Sequence, residues 1–148
     1  LEEAAELYPQ FQKLGAEVLS VSTDTVFVHK AWHDNSPAIK KVKYPMIADP
    51  TGKICKEFGT YIDEEGLSFR GSFIINPEGV LKSMEIHDNS MGRNTKELLR
   101  KLQAAIYVSQ HKGEVCKLGT WKENIKTWTR LGRKNLIGGK NDYTIKRN

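Results

Sequence analysis

Hydrophobic positions along the chain switch between helical and strand spacing, and the switches mark the elements. Leu1, Ala4, Ala5, Tyr8, Phe11 and Leu14 form one stripe at helical spacing, with Glu2 and Glu3 early, where the helix dipole favours acids. A helix over 1–14 is therefore expected, kinked or loosened at Pro9 and stopped by Gly15. Residues 17–22, EVLSVS, have the composition of a strand. Ser22, Thr23 and Asp24 then offer capping oxygens for a second helix through Val26, Phe27, Ala31 and Trp32, ending near Ser36-Pro37. Tyr44 to Ala48 reads as a short strand, and Asp49-Pro50-Thr51-Gly52 as the turn into a brief helix, Lys53 to Phe58, closed by Gly59. In the last third, Leu98, Leu99, Leu102, Ala105 and Ile106 line one side of a helix that Asn94 or Thr95 can cap.

Between these helices, residues 66–88 carry the strongest strand signal. Two β-branched and aromatic runs flank Asn76-Pro77-Glu78-Gly79, which predicts a β-hairpin with Pro77 at the first central turn position and Gly79 at the last. The first arm, Phe69 to Ile75, is nearly continuous in apolar residues, as suits a strand covered on both faces. Arg70 sits inside it. An arginine there either reaches an acidic partner or directs its fork of donors at an anion or thiolate in a pocket. Strands alternating with helices, then a hairpin and a helix, predict an α/β sandwich with a mixed sheet.

Length and composition add limits. With 148 residues and 39% apolar content the chain is long enough for one domain with a core. No apolar run approaches the roughly 18 residues that span a bilayer, and the chain does not open on a charged-then-apolar signal segment, so a cytoplasmic location is expected. Cys55 and Cys116 form no Cys-x-x-Cys pair, which excludes a zinc ribbon and a thioredoxin dithiol. The formal charge of +5 is uneven: residues 111–148 hold ten Lys/Arg against three Asp/Glu, and the first 110 hold 13 against 15. The basic end is expected to be soluble and poorly ordered past Trp121; nucleic-acid binding is not expected, for lack of a folded reading element or an aromatic platform. His29 and His33 stand at i, i+4 beside Asp34, a spacing that could chelate a metal, yet no further ligand lies near in sequence. Asp49-Pro50-Thr51-Gly52-Lys53 lacks the full glycine pattern of a phosphate loop.

Taken together, FRGSFIINPEGVLKSMEIHD, GRNTKELLRKLQAAIYVSQHKGEVC, VLSVSTDTVFVHKAWHD and YPMIADPTGKICKEFG resemble, in order and spacing, the typical two-cysteine peroxiredoxins, and most closely those of the bacterial alkyl hydroperoxide reductase small-subunit type. The resemblance covers roughly residues 1–122. It implies a thioredoxin-like fold, with a peroxiredoxin core over 1–110 and a tail over 111–148. It implies a thiol peroxidase acting on hydrogen peroxide and alkyl hydroperoxides, in which a helix N-terminus and an arginine favour a peroxidatic thiolate and a second cysteine resolves the sulfenic acid.

Residue by residue, Arg70 matches the arginine of the peroxide pocket, and Cys116, in GEVC, matches the resolving cysteine. Arg93 matches a recurrent family arginine, for which a capping or interface role is an equal reading; Cys55 falls where the family has no catalytic cysteine and reads as a structural thiol. The opening LEEAAELYPQFQKLG looks like the helix just after the peroxidatic cysteine, so that cysteine and the strands before it are expected to be missing from the sequence. Homodimers, or rings of five dimers, are implied, with a flavin disulfide reductase or thioredoxin as electron donor and no metal, flavin or haem on the chain. A remnant serving only as an oligomerisation module is the competing reading. The region SPAIKKVKYP lacks the insertion of peroxiredoxins prone to overoxidation, which implies resistance to excess peroxide, and the residues after Lys122 do not resemble the family ending.

Overall fold

Helix α1 (Glu2–Lys13) follows the expected stripe, with Tyr8 and Phe11 buried, and it runs through Pro9 without a break. The lost N–H of Pro9 costs one intrahelical bond, while the buried aromatic rings on either side hold the turn in place. Gly15, at φ +73°, turns the chain out of the helix. These coordinates are a computed structural model that describes residues 1–111, 113, 115 and 116. The poor order expected past Trp121 therefore concerns a stretch outside the described residues.

Strand β1 (Ser20–Ser22) is shorter than the strand-like run, because its pairing with β2 (Met46–Ala48) extends over only three parallel registers, Ser20 with Met46 to Ser22 with Ala48. Between them lie α2 (Val26–Asn35) and a 3-10 turn, Ile39–Lys41. The cap of α2 differs from expectation. Thr25 takes the N-cap, accepting from the Val28 amide at 3.3 Å, because Ser22 and Asp24 are engaged with each other and with His29. Helix α3 (Lys53–Glu57) is short, and Gly59 at φ +66° follows it as expected.

Two antiparallel pairs complete the strands: β3 (Tyr61–Ile62) with β4 (Leu67–Ser68), which sequence reading did not anticipate, and β5 (Arg70–Ile75) with β6 (Leu81–His87). The hairpin turn forms as predicted: the Gly79 amide donates to the Asn76 carbonyl at 2.9 Å, and the Val80 amide to Asn76 Oδ1 at 2.7 Å. Among the described residues the strands make three separate two-stranded ladders rather than one mixed sheet. The architecture is mixed α/β with small sheets.

The first hairpin arm is not covered on both faces. Phe73 and Ile75 share a face with Leu81, Met84 and Ile86, and Ile75, Leu81 and Met84 are 48%, 46% and 63% exposed. Phe58, Phe73, Ile75, Leu81 and Met84 line an open groove of about 430 Å³. A continuous apolar run reports what a face could bury, and among the described residues this one is covered only in part, by the Phe58 ring against Phe73 with centroids 4.8 Å apart.

The buried cluster lies elsewhere. Tyr8, Ile39, Val42 and Tyr44 pack together, with Ala4, Ala5, Val18 and Met46 around them. The rings of Tyr8 and Tyr44 meet edge to face with centroids 5.6 Å apart, and the Tyr8 hydroxyl donates to Glu17 at 2.7 Å. Helix α4 (Thr95–Gln110) begins at the expected cap, Asn94 accepting from the Glu97 amide at 3.0 Å. Glu3 of α1 adds a second acceptor for the same helix end, taking the Thr95 amide at 3.1 Å, so α1 and α4 are joined by packing and by a carboxylate at a helix N-terminus.

Two glycine and cap positions give a stability test. A methyl on Gly52, at φ +67°, would fall 2.2 Å from Tyr61 Cε2. Gly52→Ala is expected to lose about 1 to 2 kcal/mol from backbone conformation alone, and more from the clash. Asn94→Ala is expected to lose about 1 kcal/mol. Urea unfolding midpoints check both, and an unchanged midpoint for Gly52→Ala would show that the Tyr61 contact yields freely.

Candidate active site: an arginine pair at the mouth of the hairpin

Arg70 is the first residue of β5 and stands opposite His87, the last of β6. It is exposed, and the salt bridge considered from sequence does not form among the described residues. Instead its Nε donates to the backbone carbonyl of Asn89 at 2.9 Å, in the loop that follows β6. Arg93, in the same loop, returns the gesture: its Nη1 donates to the carbonyl of Gly71 at 2.7 Å, one residue along β5. Among the described residues Arg93 is thus neither a helix cap nor a carboxylate partner; Asn94 does the capping.

The two guanidinium groups are close enough for their charges to interact. Burial of the guanidinium end of Arg93 among its neighbours, followed by the like charge of Arg70, pushes its pKa below the ordinary value, while Tyr44 acts in the opposite sense. Burial in turn pushes the Tyr44 hydroxyl up, and that hydroxyl donates to the Leu1 carbonyl at 3.1 Å. Carbonyl dipoles hold both arginines without neutralising them. The result is a concentration of positive charge at the start of β5, beside the N-terminal end of α1.

The loop between the arginines is itself ordered. Asp88 Oδ1 accepts from the Ser90 amide at 2.8 Å and from Ser90 Oγ at 2.6 Å, and the Met91 amide donates to the Asp88 carbonyl at 3.0 Å. On the hairpin face toward α4, Glu85 bridges Lys101 and His87, with His87 Nε2 at 2.5 Å from Glu85 Oε1. Asp88, Asn89 and Tyr44 were not singled out by sequence. Asp88-x-Ser90 is a side-chain-to-backbone turn signature that could have pointed to the loop.

Cys116 belongs to a different cluster. It is half-buried and lies near Arg100 of α4, whose pKa is raised first by its bond to Glu97 at 2.8 Å and last by the sulfur's charge. Cys55 is 4% exposed; burial chiefly pushes its thiol pKa up, with Asp49 adding to the effect and Ser68 opposing it. It is a packed thiol, in keeping with the structural reading of its sequence position. The two histidines on α2 diverge: His29 Nε2 lies 2.6 Å from Ser22 Oγ, whereas His33 Nδ1 lies 3.7 Å from Asp34. Among the described residues no three His, Cys, Asp or Glu side chains gather in a metal-binding group, and no helix is long and apolar enough to cross a membrane.

The α/β frame of helices and short strands agrees with known proteins. Residues 1–84 match the AhpC/TSA family, and the chain belongs to that family. Alkyl hydroperoxide reductase C of Pseudomonas aeruginosa is 54% identical over 127 residues, 86% of this chain and 67% of that protein. The same-named protein of Escherichia coli is 46% identical over the same shares. Among solved structures, the crystal structure of Enterococcus faecalis AhpC superposes with a TM-score of 0.77 at 47% identity, covering 79% of this chain and 70% of that one. The mitochondrial 2-Cys peroxiredoxin of Plasmodium falciparum gives 0.72 at 29% identity, over 78% and 70%. These neighbours have the thioredoxin-like fold anticipated from sequence.

Two solution tests follow from the cysteine surroundings. Iodoacetamide at neutral pH is expected to label Cys55 slowly in the folded chain and readily after denaturation; fast native labelling would contradict its packing. Asp49 is the second case. Burial alone would raise its pKa, but amides of Cys55, Ile54 and Lys53 outweigh that and hold it low, the first at 2.9 Å. A carboxyl depressed in the folded state contributes stability that is present above its unfolded value and lost as pH falls through the folded one. Wild type is therefore expected to lose stability below about pH 4, with Asp49→Asn showing a shallower loss over that window.

Proposed function

We propose that this chain works as a thiol-dependent peroxidase of the peroxiredoxin type, reducing hydrogen peroxide and alkyl hydroperoxides, with Arg70 in the peroxide pocket and Cys116 as the resolving thiol. The observation that carries the reading is the Arg70–Arg93 pair, whose charge is held in place by carbonyls and so remains available to an anion. Such a charge favours a thiolate over a thiol and stabilises the negative charge that develops on the leaving oxygen. In this reading Cys55, packed and with a raised pKa, is a structural thiol, Cys116 is kept for the resolving step, and the attacking thiolate is a further cysteine.

The chemistry balances in two steps. The thiolate attacks one peroxide oxygen, the O–O bond breaks, and the departing hydroxide or alkoxide takes a proton, leaving a sulfenic acid. The Cys116 thiolate then attacks that sulfur, forming a disulfide and releasing water, and an external dithiol restores both thiols with two electrons. A flavin disulfide reductase or thioredoxin supplies that dithiol. The exposed residues Val26, Phe27 and Trp32 of α2 and the open face of the hairpin support assembly into homodimers, or into decamers built from them. The same surfaces favour the second reading, a catalytically silent assembly module, which an activity measurement separates from the first.

The measurement is peroxide consumption with dithiothreitol, by the chain alone and by the chain joined to the part of the Pseudomonas relative outside the match. Activity is expected in the joined form, and Arg70→Ala is expected to lower its rate constant about 100-fold. Cys116→Ser is expected to preserve the first oxidation while abolishing the disulfide. Rapid turnover by the chain alone, lost in Cys55→Ser or Cys116→Ser, would assign the attack to a cysteine rejected above. An inactive joined form that still assembles would leave the module reading standing.

A further inference from the structure

We propose that Asp88 is a positioning residue for Arg70, acting through the peptide bond between Asn89 and Ser90 rather than by contact. One peptide group carries both of the relevant hydrogen bonds. Its N–H, from Ser90, goes to Asp88 Oδ1 at 2.8 Å; its C=O, from Asn89, receives Nε of Arg70 at 2.9 Å. No peptide among the described residues is cis, and in a trans peptide the N–H and C=O point in opposite directions. Fixing one end of this rigid plane on the carboxylate therefore aims the other end at the arginine.

Two further contacts restrict the plane. Ser90 Oγ also donates to Asp88 Oδ1, at 2.6 Å, and the Met91 amide closes onto the Asp88 carbonyl at 3.0 Å. The far side of the loop is tied to β5 by Arg93 at the Gly71 carbonyl, so the loop cannot swing as a unit. Electrostatics reinforces the geometry. A carboxylate on the N–H side polarises the peptide and makes its carbonyl a better acceptor for a cation, so Asp88 steadies Arg70 while its guanidinium makes no ion pair with a carboxylate among the described residues. The bonds from Ser90 hold the Asp88 carboxyl below its usual range, which keeps the acceptor charged at neutral pH. A direct Arg70–carboxylate pair would have cancelled that charge.

This inference rests on the reading of Arg70 as a pocket residue only for its catalytic consequence; the positioning itself has a separate readout. Nitrogen-detected NMR of the Arg70 Nε–H in the joined protein, with solvent exchange of that proton, reports the bond to Asn89 directly. Asp88→Ala is expected to shift the resonance and speed its exchange about tenfold, as losing one net hydrogen bond implies. Asp88→Asn, which keeps an acceptor for the Ser90 amide, is expected to restore most of the protection, and Ser90→Ala, which keeps the amide, to leave it near wild type. An Arg70 signal unmoved in Asp88→Ala overturns the proposal, and if that variant does not fold, Asp88→Asn exchanging as fast as free arginine overturns it instead. A moved Arg70 signal with an unchanged peroxide rate upholds the positioning and refutes the pocket role.

Discussion

Tyr44 is the residue on which the other parts converge. Its ring meets Tyr8 of α1 edge to face, its hydroxyl holds the first carbonyl of the chain, and its charge field reaches Arg93 in the loop before α4. It also immediately precedes Pro45, whose carbonyl accepts from the Ser20 amide at 3.1 Å at the start of the parallel pair. A large aromatic with a polar tip suits this position: the ring supplies buried area and the hydroxyl finds a backbone acceptor, so neither end is wasted. Removing it would loosen the packing of α1 and alter the surroundings of an arginine in one change.

The charges are arranged on a different principle from the packing. Acids and bases elsewhere pair with one another, as Glu97 does with Arg100 and Lys30 with Asp34 within helices, and Glu85 of β6 with Lys101 of α4. At the start of β5 the pattern breaks, and two arginines sit near each other on carbonyl acceptors. Like charges held together are unfavourable, and the pKa of Arg93 is lowered first by burial and then by the charge of Arg70. Proteins commonly retain such local conflicts where a charge has work to do, because a paired arginine would be inert toward an incoming anion.

Sequence reading reached far where a local signal decides the outcome. The α4 boundary was legible because Asn94 caps and a five-residue apolar stripe follows; the hairpin was legible because Pro77 and Gly79 can occupy only certain turn positions. It fell short where the deciding partner is elsewhere in the chain. Two-residue strands such as β3 carry too few residues to show a period. The α2 cap went to Thr25 because Ser22 and Asp24 had other partners, which no local rule can weigh. Arg70 was marked as a site residue through family resemblance, but its partner is a backbone carbonyl, and carbonyls are the same at every residue. Only the folded loop shows which one it uses.

Carbonyl anchoring has one more consequence. Ion pairs within a protein carry their own counterions, but among the described residues these arginines have none, so dissolved anions share that role. At physiological ionic strength the screening length is about 8 Å, comparable with the dimensions of the loop itself. The potential at the mouth of the hairpin is therefore set jointly by the fold and by the solution around it, and crowding by small anions in a cell would mute it without moving an atom.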